Sequence, residues 1–215
     1  MEALEYIKFY VLQDKVLETI FSGETTLYLT GGTCLNRFYQ NRRYSDDLDL
    51  FTNENAMFRD DIRIALESLK KFSLPFEFKV DTRDFVRLYI NEILQVDFVN
   101  DRVYRHGKSI ITPEGYAIDN IINMSANKIC AIIGRDDPKD MFDLYTIYIK
   151  EEIDWKTVIE AASKKCVIDP ETVEYRLSTF PLELLDLLKV VDPELINDMK
   201  NNYTGMVKHI TDLMP

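Results

Sequence analysis

Three alternating apolar runs follow one another at Pro75–Asp81, Arg83–Asn91 and Ile93–Asn100, and from Ile118 onward every pattern is helical. This order is the strongest constraint on the fold. Strands segregated ahead of helices make an α+β protein, because a doubly wound sheet needs strand and helix to alternate throughout. Asn91-Glu92 lies between two strand-like runs and predicts a tight hairpin. The helical half reads as 118–134, 138–150, 154–167, 169–179, 181–190 and 192–213. Asp137-Pro138, Asp169-Pro170, Phe180-Pro181 and Asp192-Pro193 mark helix starts, where a proline costs no hydrogen bond. The predicted organisation is an α/β part over 1–115 and a helical part over 116–215.

The first part opens with a helix over 4–21, whose apolar positions are Leu4, Ile7, Tyr10, Val11, Val16, Leu17 and Ile20. Ser22-Gly23-Glu24 ends it. Thr26–Thr30 is β-prone, Gly31-Gly32-Thr33 makes a turn, and Cys34–Gln40 is helical. Leu48–Phe51 reads as a second strand, and Thr52 or Asn53 would cap a helix running to Phe72.

Charge and composition narrow the function classes. The 215 residues include 26 Lys and Arg against 37 Asp and Glu, a net charge of −11, which argues against a generic coat for duplex DNA. No apolar run approaches the ~20 residues of a membrane span. The start, Met1-Glu-Ala-Leu-Glu, lacks the basic and apolar regions of a signal peptide. Three separated cysteines, Cys34, Cys130 and Cys166, fit reduced thiols of a cytoplasmic protein rather than a disulfide framework or a zinc site. His106 and His209 leave little room for histidine-based metal chemistry.

The chemistry concentrates in Thr30–Phe51. Gly31-Gly32 between strand and helix permits close approach to a phosphate, with Thr33 adding a hydroxyl. A plain βα turn is the bland reading. Asp47 and Asp49 are two apart on a strand and share one face, while Leu48 and Leu50 face the other way. Paired carboxylates at that spacing suit Mg²⁺, and an acidic solvated edge is the alternative. Arg42, Arg43 and Ser45 precede them and suit phosphate contacts or surface ion pairs. In Ile93–Val99, Leu94, Val96 and Phe98 share a face and Asp97 points the other way with Gln95. If that strand neighbours Asp47 and Asp49, Asp97 completes a three-carboxylate cluster for two metal ions and is the nearest candidate base.

Gly31-Gly32-Thr33-x-Leu35 and Arg43-x-Ser45-x-Asp47-Leu48-Asp49-Leu50-Phe51 resemble the AbiEii/AbiGii-type nucleotidyltransferase toxins of the DNA polymerase β-like nucleotidyltransferase superfamily. Asn127-Lys128, Arg135 and Lys139-Asp140-x-x-Asp143-Leu144-Tyr145 are similar to that family's later motifs. The resemblance implies a polymerase-β-like mixed sheet with flanking helices, followed by a C-terminal helical bundle. It also implies NMP transfer from an NTP, with Mg²⁺ or Mn²⁺ on Asp47, Asp49 and Asp97. Gly31, Gly32, Thr33, Arg43 and Ser45 would cradle the triphosphate. Lys128 would approach the phosphates from the helical part, and Asp140 would orient the site. Read without the family, Lys128 would snorkel to solvent and Asp140 and Asp143 would be helix N-terminal carboxylates. The implied partners are an RNA or tRNA acceptor and an antitoxin protein, with no membrane and no duplex DNA. A small-molecule or protein acceptor, or a silent nucleotide-binding regulator, is the alternative function.

Overall fold

The computed structural model describes residues 2–54 and 56–214. Met1, Asn55, Pro215 and the side chains of residues 2–4, including the Leu4 of the predicted stripe, lie outside that description. The contacts group the chain into two compact units. Where the sequence placed one boundary between 115 and 116, the first unit comprises Met1–Cys34, Ser45–Arg102 and Lys108–Asp119. The second comprises Leu35–Tyr44, Val103–Gly107 and Asn120–Pro215.

A mixed seven-stranded sheet forms the first unit. Its strands are β1 (Tyr28–Thr30), β2 (Asp47–Thr52), β3 (Phe76–Asp81), β4 (Phe85–Ile90), β5 (Leu94–Asn100), β6 (Ile110–Ile111) and β7 (Ala117–Ile118), in the order β3-β4-β5-β2-β1-β7-β6. β2 runs parallel to β5 and β1 parallel to β7, and the other pairs are antiparallel. Leu48, Leu50, Val96 and Phe98 are fully buried on one side of the central strands, as alternation predicts. Helices α1 (Glu2–Phe21) and α3 (Phe58–Lys71) pack on each other and on β5.

Two local expectations change in this unit. The buried stripe of α1 is Tyr6, Gln13, Val16, Leu17 and Ile20, whereas Ile7 and Val11 are more than three-fifths exposed. Gln13 holds a core position because its amide nitrogen donates to the Ser45 carbonyl at 3.0 Å. Helix α3 begins at Phe58 rather than after Thr52 or Asn53. Thr52 ends β2, and its hydroxyl accepts from the Glu54 amide at 3.0 Å, so it closes a turn and caps no helix. The β6–β7 hairpin was not legible, since two-residue strands are too short to show alternation.

The second unit is helical: α4 (Ile121–Gly134), α5 (Pro138–Lys150), α6 (Trp155–Ser163), α7 (Pro170–Ser178) and α8 (Glu194–Asp212). Asn120, Asp137, Asp154 and Asp169 cap the first four with side-chain oxygens. The helix expected over 181–190 is only a 3₁₀ turn, Leu182–Leu187. The chain beyond it is extended because Tyr44 donates to the Lys189 carbonyl and Val191 to the Arg42 carbonyl, at 3.0 and 2.9 Å. Cys130 and Cys166 are joined as a disulfide, their Cα atoms 6.1 Å apart, which corrects the expectation of three reduced thiols. Packing brings the end of α4 against the loop after α6, a proximity that a 36-residue separation does not reveal. Cys34 is buried and lies outside that disulfide. Among the described residues no helix is long and apolar enough to cross a membrane.

Candidate active site

The central strand β2 presents Asp47 and Asp49 on one side, both half-buried, between the fully buried Leu48 and Leu50. Register extends this polar line across the sheet. Arg87 on β4 pairs with Asp97 on β5, Asp97 with Asp49, and Asp49 with Thr30 on β1. In-register neighbours share a face, so four strands contribute one row. At its far end the Thr30 hydroxyl donates to the buried Asp119 carboxylate at 2.9 Å.

The turn after β1 lies against this row. Gly31 starts the short helix α2 (Gly31–Leu35) with a φ of +71°, and a Cβ there would come within 2.0 Å of the Asp49 carboxylate oxygen. Glycine is therefore needed twice, for the left-handed backbone and for the approach of Asp49. Gly32 and Thr33 are buried. The Thr33 hydroxyl, expected in the phosphate cradle, donates instead to the Asp47 carbonyl and ties the turn to β2. Ser45 is buried with its hydroxyl 3.5 Å from Asp47 Oδ1, and its amide donates to the Tyr10 hydroxyl at 3.2 Å.

Asp97 is on the predicted face and in register with Asp49, yet it is not an open ligand. Arg87 clasps it through Nε–Oδ1 at 2.7 Å and Nη2–Oδ2 at 2.6 Å, and Gln95 Nε2 donates to Oδ2 at 3.2 Å. Among the described residues no three acidic, His or Cys side chains are grouped so as to hold a metal ion. Asp47, Asp49 and Asp97 thus share the expected face on neighbouring strands, with Asp97 held in an ion pair by Arg87. The donor set of Asp47 and Asp49 still fits a hard divalent cation, being all oxygen on one strand face.

Three expected site residues, Arg43, Lys128 and Asp140, form a buried charge cluster in the second unit. Arg43, expected to contact phosphate, forks onto Asp143 with Nε–Oδ1 and Nη2–Oδ2 both at 2.7 Å, and its Nη1 donates to the Tyr44 carbonyl. Asn36 donates to the same Asp143 oxygen at 3.3 Å. Lys128 does not snorkel. Its ammonium sits 2.9 Å from Asp140 and 2.6 Å from Asp143. Asp140 also takes the Arg135 guanidinium, through Nε at 2.7 Å and Nη2 at 2.6 Å. Burial pushes the Asp143 carboxyl up, but Arg43 and Lys128 overcome that and hold it at about 2. Burial pulls the Lys128 ammonium down, and Asp143 and Asp140 outweigh it, leaving its pKa above the ordinary lysine value.

Sequence reasoning missed Arg87, Thr30, Asp119 and Asn36. A signal existed for Arg87, an arginine within the apolar run Phe85-Val-Arg-Leu-Tyr-Ile90, as anomalous as Asp97 in its own strand. What the sequence lacked was the register joining the two.

Beyond this geometry, a family model described as "Nucleotidyl transferase AbiEii toxin, Type IV TA system" matches residues 16–215. The chain belongs to the AbiEii nucleotidyltransferase toxin family. It is accordingly a nucleotidyltransferase. Solved structures share this AbiEii-family fold at low identity. JHP933 from Helicobacter pylori is 17% identical, with 97% of this chain and 94% of that chain covered and a TM-score of 0.60. MenT4, a nucleotidyltransferase toxin from Mycobacterium tuberculosis H37Rv, is 15% identical, with 100% and 90% covered and a TM-score of 0.63. No curated protein matches the chain.

Proposed function

We propose that this AbiEii-family chain moves an NMP from an NTP to a hydroxyl of an RNA acceptor, with the β2 carboxylate face as its reaction centre. The observation that carries this reading is the pair Asp47 and Asp49 on one strand face, with Gly31 packed against Asp49. Asp47 and Asp49 would hold Mg²⁺ or Mn²⁺, which when bound neutralises charge on the triphosphate. Gly31, lacking a Cβ, lets the Asp49 carboxylate close against the turn beside which the triphosphate would lie. Ser45 and Thr33 fix Asp47, one from its side chain and one from its carbonyl. The acceptor oxygen bonds to the α-phosphorus, pyrophosphate leaves, and the hydroxyl proton passes to a carboxylate of the same face or to solvent. Lys128 and Asp140 are assigned to holding the second unit together, since each is already paired inside it.

An RNA acceptor is compatible with the net −11, because the charge is uneven. The first unit carries net −9 and the second net −2, the latter including Arg37, Arg42 and Arg105 in its two inserted segments. Membership of a toxin family supports a toxin role with a cognate antitoxin. The test is incubation with each labelled NTP, Mg²⁺ and total RNA. Label should enter RNase-sensitive product, and Asp47→Asn or Asp49→Asn should reduce it by about 100-fold or more. Label in RNase-resistant small molecule or protein would move the acceptor to that class. Incorporation unchanged by both substitutions would sink the proposed centre.

A further inference from the structure

We propose that Arg87 is a positioning residue that takes the place of a second cation at Asp97, so that the carboxylate face binds one divalent ion rather than two. This rests on the metal-binding role given above to Asp47 and Asp49. Four observations lead to it. Arg87, Asp97 and Asp49 are successive register partners on three neighbouring strands. Asp97 and Asp49 are therefore one strand spacing apart, ~5 Å, the span across which two carboxylates would share a second ion. The Arg87 fork occupies both Asp97 oxygens, and Gln95, itself held by the Tyr89 hydroxyl at 3.1 Å, adds a third donor.

Burial and charge point the same way. The Asp97 side chain is 8% exposed, and Arg87 is 36% exposed with its guanidinium packed 5.3 Å from the Phe85 ring centre. A carboxylate this buried needs a resident counter-charge whether or not an ion is bound. Asp47, Asp49, Asp97 and Arg87 together carry a charge of −2, which one divalent ion neutralises. A second ion would meet a guanidinium already seated on its ligand, and like charges at that range repel strongly. Arg87 thus supplies in the protein what a second ion supplies elsewhere, and its fork keeps Asp97 aligned with Asp49.

The deciding experiment counts Mn²⁺ bound per chain, from the electron paramagnetic resonance signal of the free ion. Wild type should bind one Mn²⁺. Arg87→Met keeps an apolar stem over Phe85 but removes the charge, and should bind a second ion at least about tenfold more tightly than wild type does. Adding Asp97→Asn to that variant should return the count to one. Arg87→Gln, neutral and still able to donate to Asp97, should behave like Arg87→Met and serves if the latter melts at room temperature. Two ions of similar affinity in wild type, or one ion in both neutral variants, would overturn the role of Arg87 while leaving Asp47 and Asp49 as ligands. No ion in any form would overturn both readings.

Discussion

Asp143 holds two cations on one fully buried carboxylate, which makes it the most demanding single residue of the second unit. A buried pair is weak evidence for stability, but removing one partner strands the others without counter-charge. Asp143→Asn should therefore cost about 3–5 kcal/mol, read as a shift in the urea midpoint. The pH profile follows from the direction of the shift. The folded carboxyl titrates at about 2, below its ordinary 3.8, so its stabilisation is complete above about pH 4. It declines as pH falls through 2, losing about 2 kcal/mol in all. Lys128 moves the other way. Its contribution is complete below the ordinary lysine pKa and is lost only as pH rises through its still higher folded value. Urea melts between pH 2 and 5 should thus show a shallower acid slope in Asp143→Asn than in wild type, the remainder coming from Asp84, Asp154 and Asp169, whose carboxyls are also held below their ordinary value.

At the scale of elements, the hairpin between β4 and β5 is the clearest agreement of sequence and structure. Asn91 and Glu92 have φ of 50° and 65°, both in the left-handed region, as the two central residues of the turn closed by the Ile93 amide on the Ile90 carbonyl at 3.2 Å; Ile93 adds a third residue to the loop. Asparagine tolerates that conformation, whereas glutamate is strained in it. Glu92→Gly should stabilise the chain by about 1 kcal/mol in thermal or urea melts, and a loss of stability would contradict the turn assignment. Alternation and turn chemistry made this hairpin legible, and they also made visible the faces of Asp47, Asp49 and Asp97. Pairing was not legible. That β2 lies between β1 and β5, and that Arg87 meets Asp97, depends on register between segments that share no local signal. The same limit hid the partners of Arg43 and Lys128. Both lie in motifs that read as phosphate-binding, and only tertiary packing reveals that buried carboxylates already hold them.

The whole molecule divides by contact rather than by position along the chain, and this has a consequence for dissecting it. Residues 35–44 leave the sheet unit and supply Asn36 and Arg43 to the helical one, and 103–107 follow the same route. His106 shows the second insertion at work, its amide donating to the capping-turn residue Asn123 at 3.0 Å and its carbonyl accepting from Asn120 at 2.7 Å. A chain cut between 119 and 120 therefore separates Asp143 from Arg43 and the start of α4 from His106. The fragment 120–215 retains the disulfide, four helix caps and most of the apolar core of its unit, so by sequence alone it looks like an independent bundle. The buried charge decides otherwise. Without Arg43 the fragment keeps Asp140 and Asp143 against Lys128 and the largely exposed Arg135, leaving Asp143 short of its bidentate partner in a site that excludes water. Fragment 120–215 should show helical far-UV absorption without a cooperative melt, whereas the intact chain melts cooperatively. A sharp, reversible transition in the fragment would show instead that the Arg43–Asp143 pair adds little to the second unit.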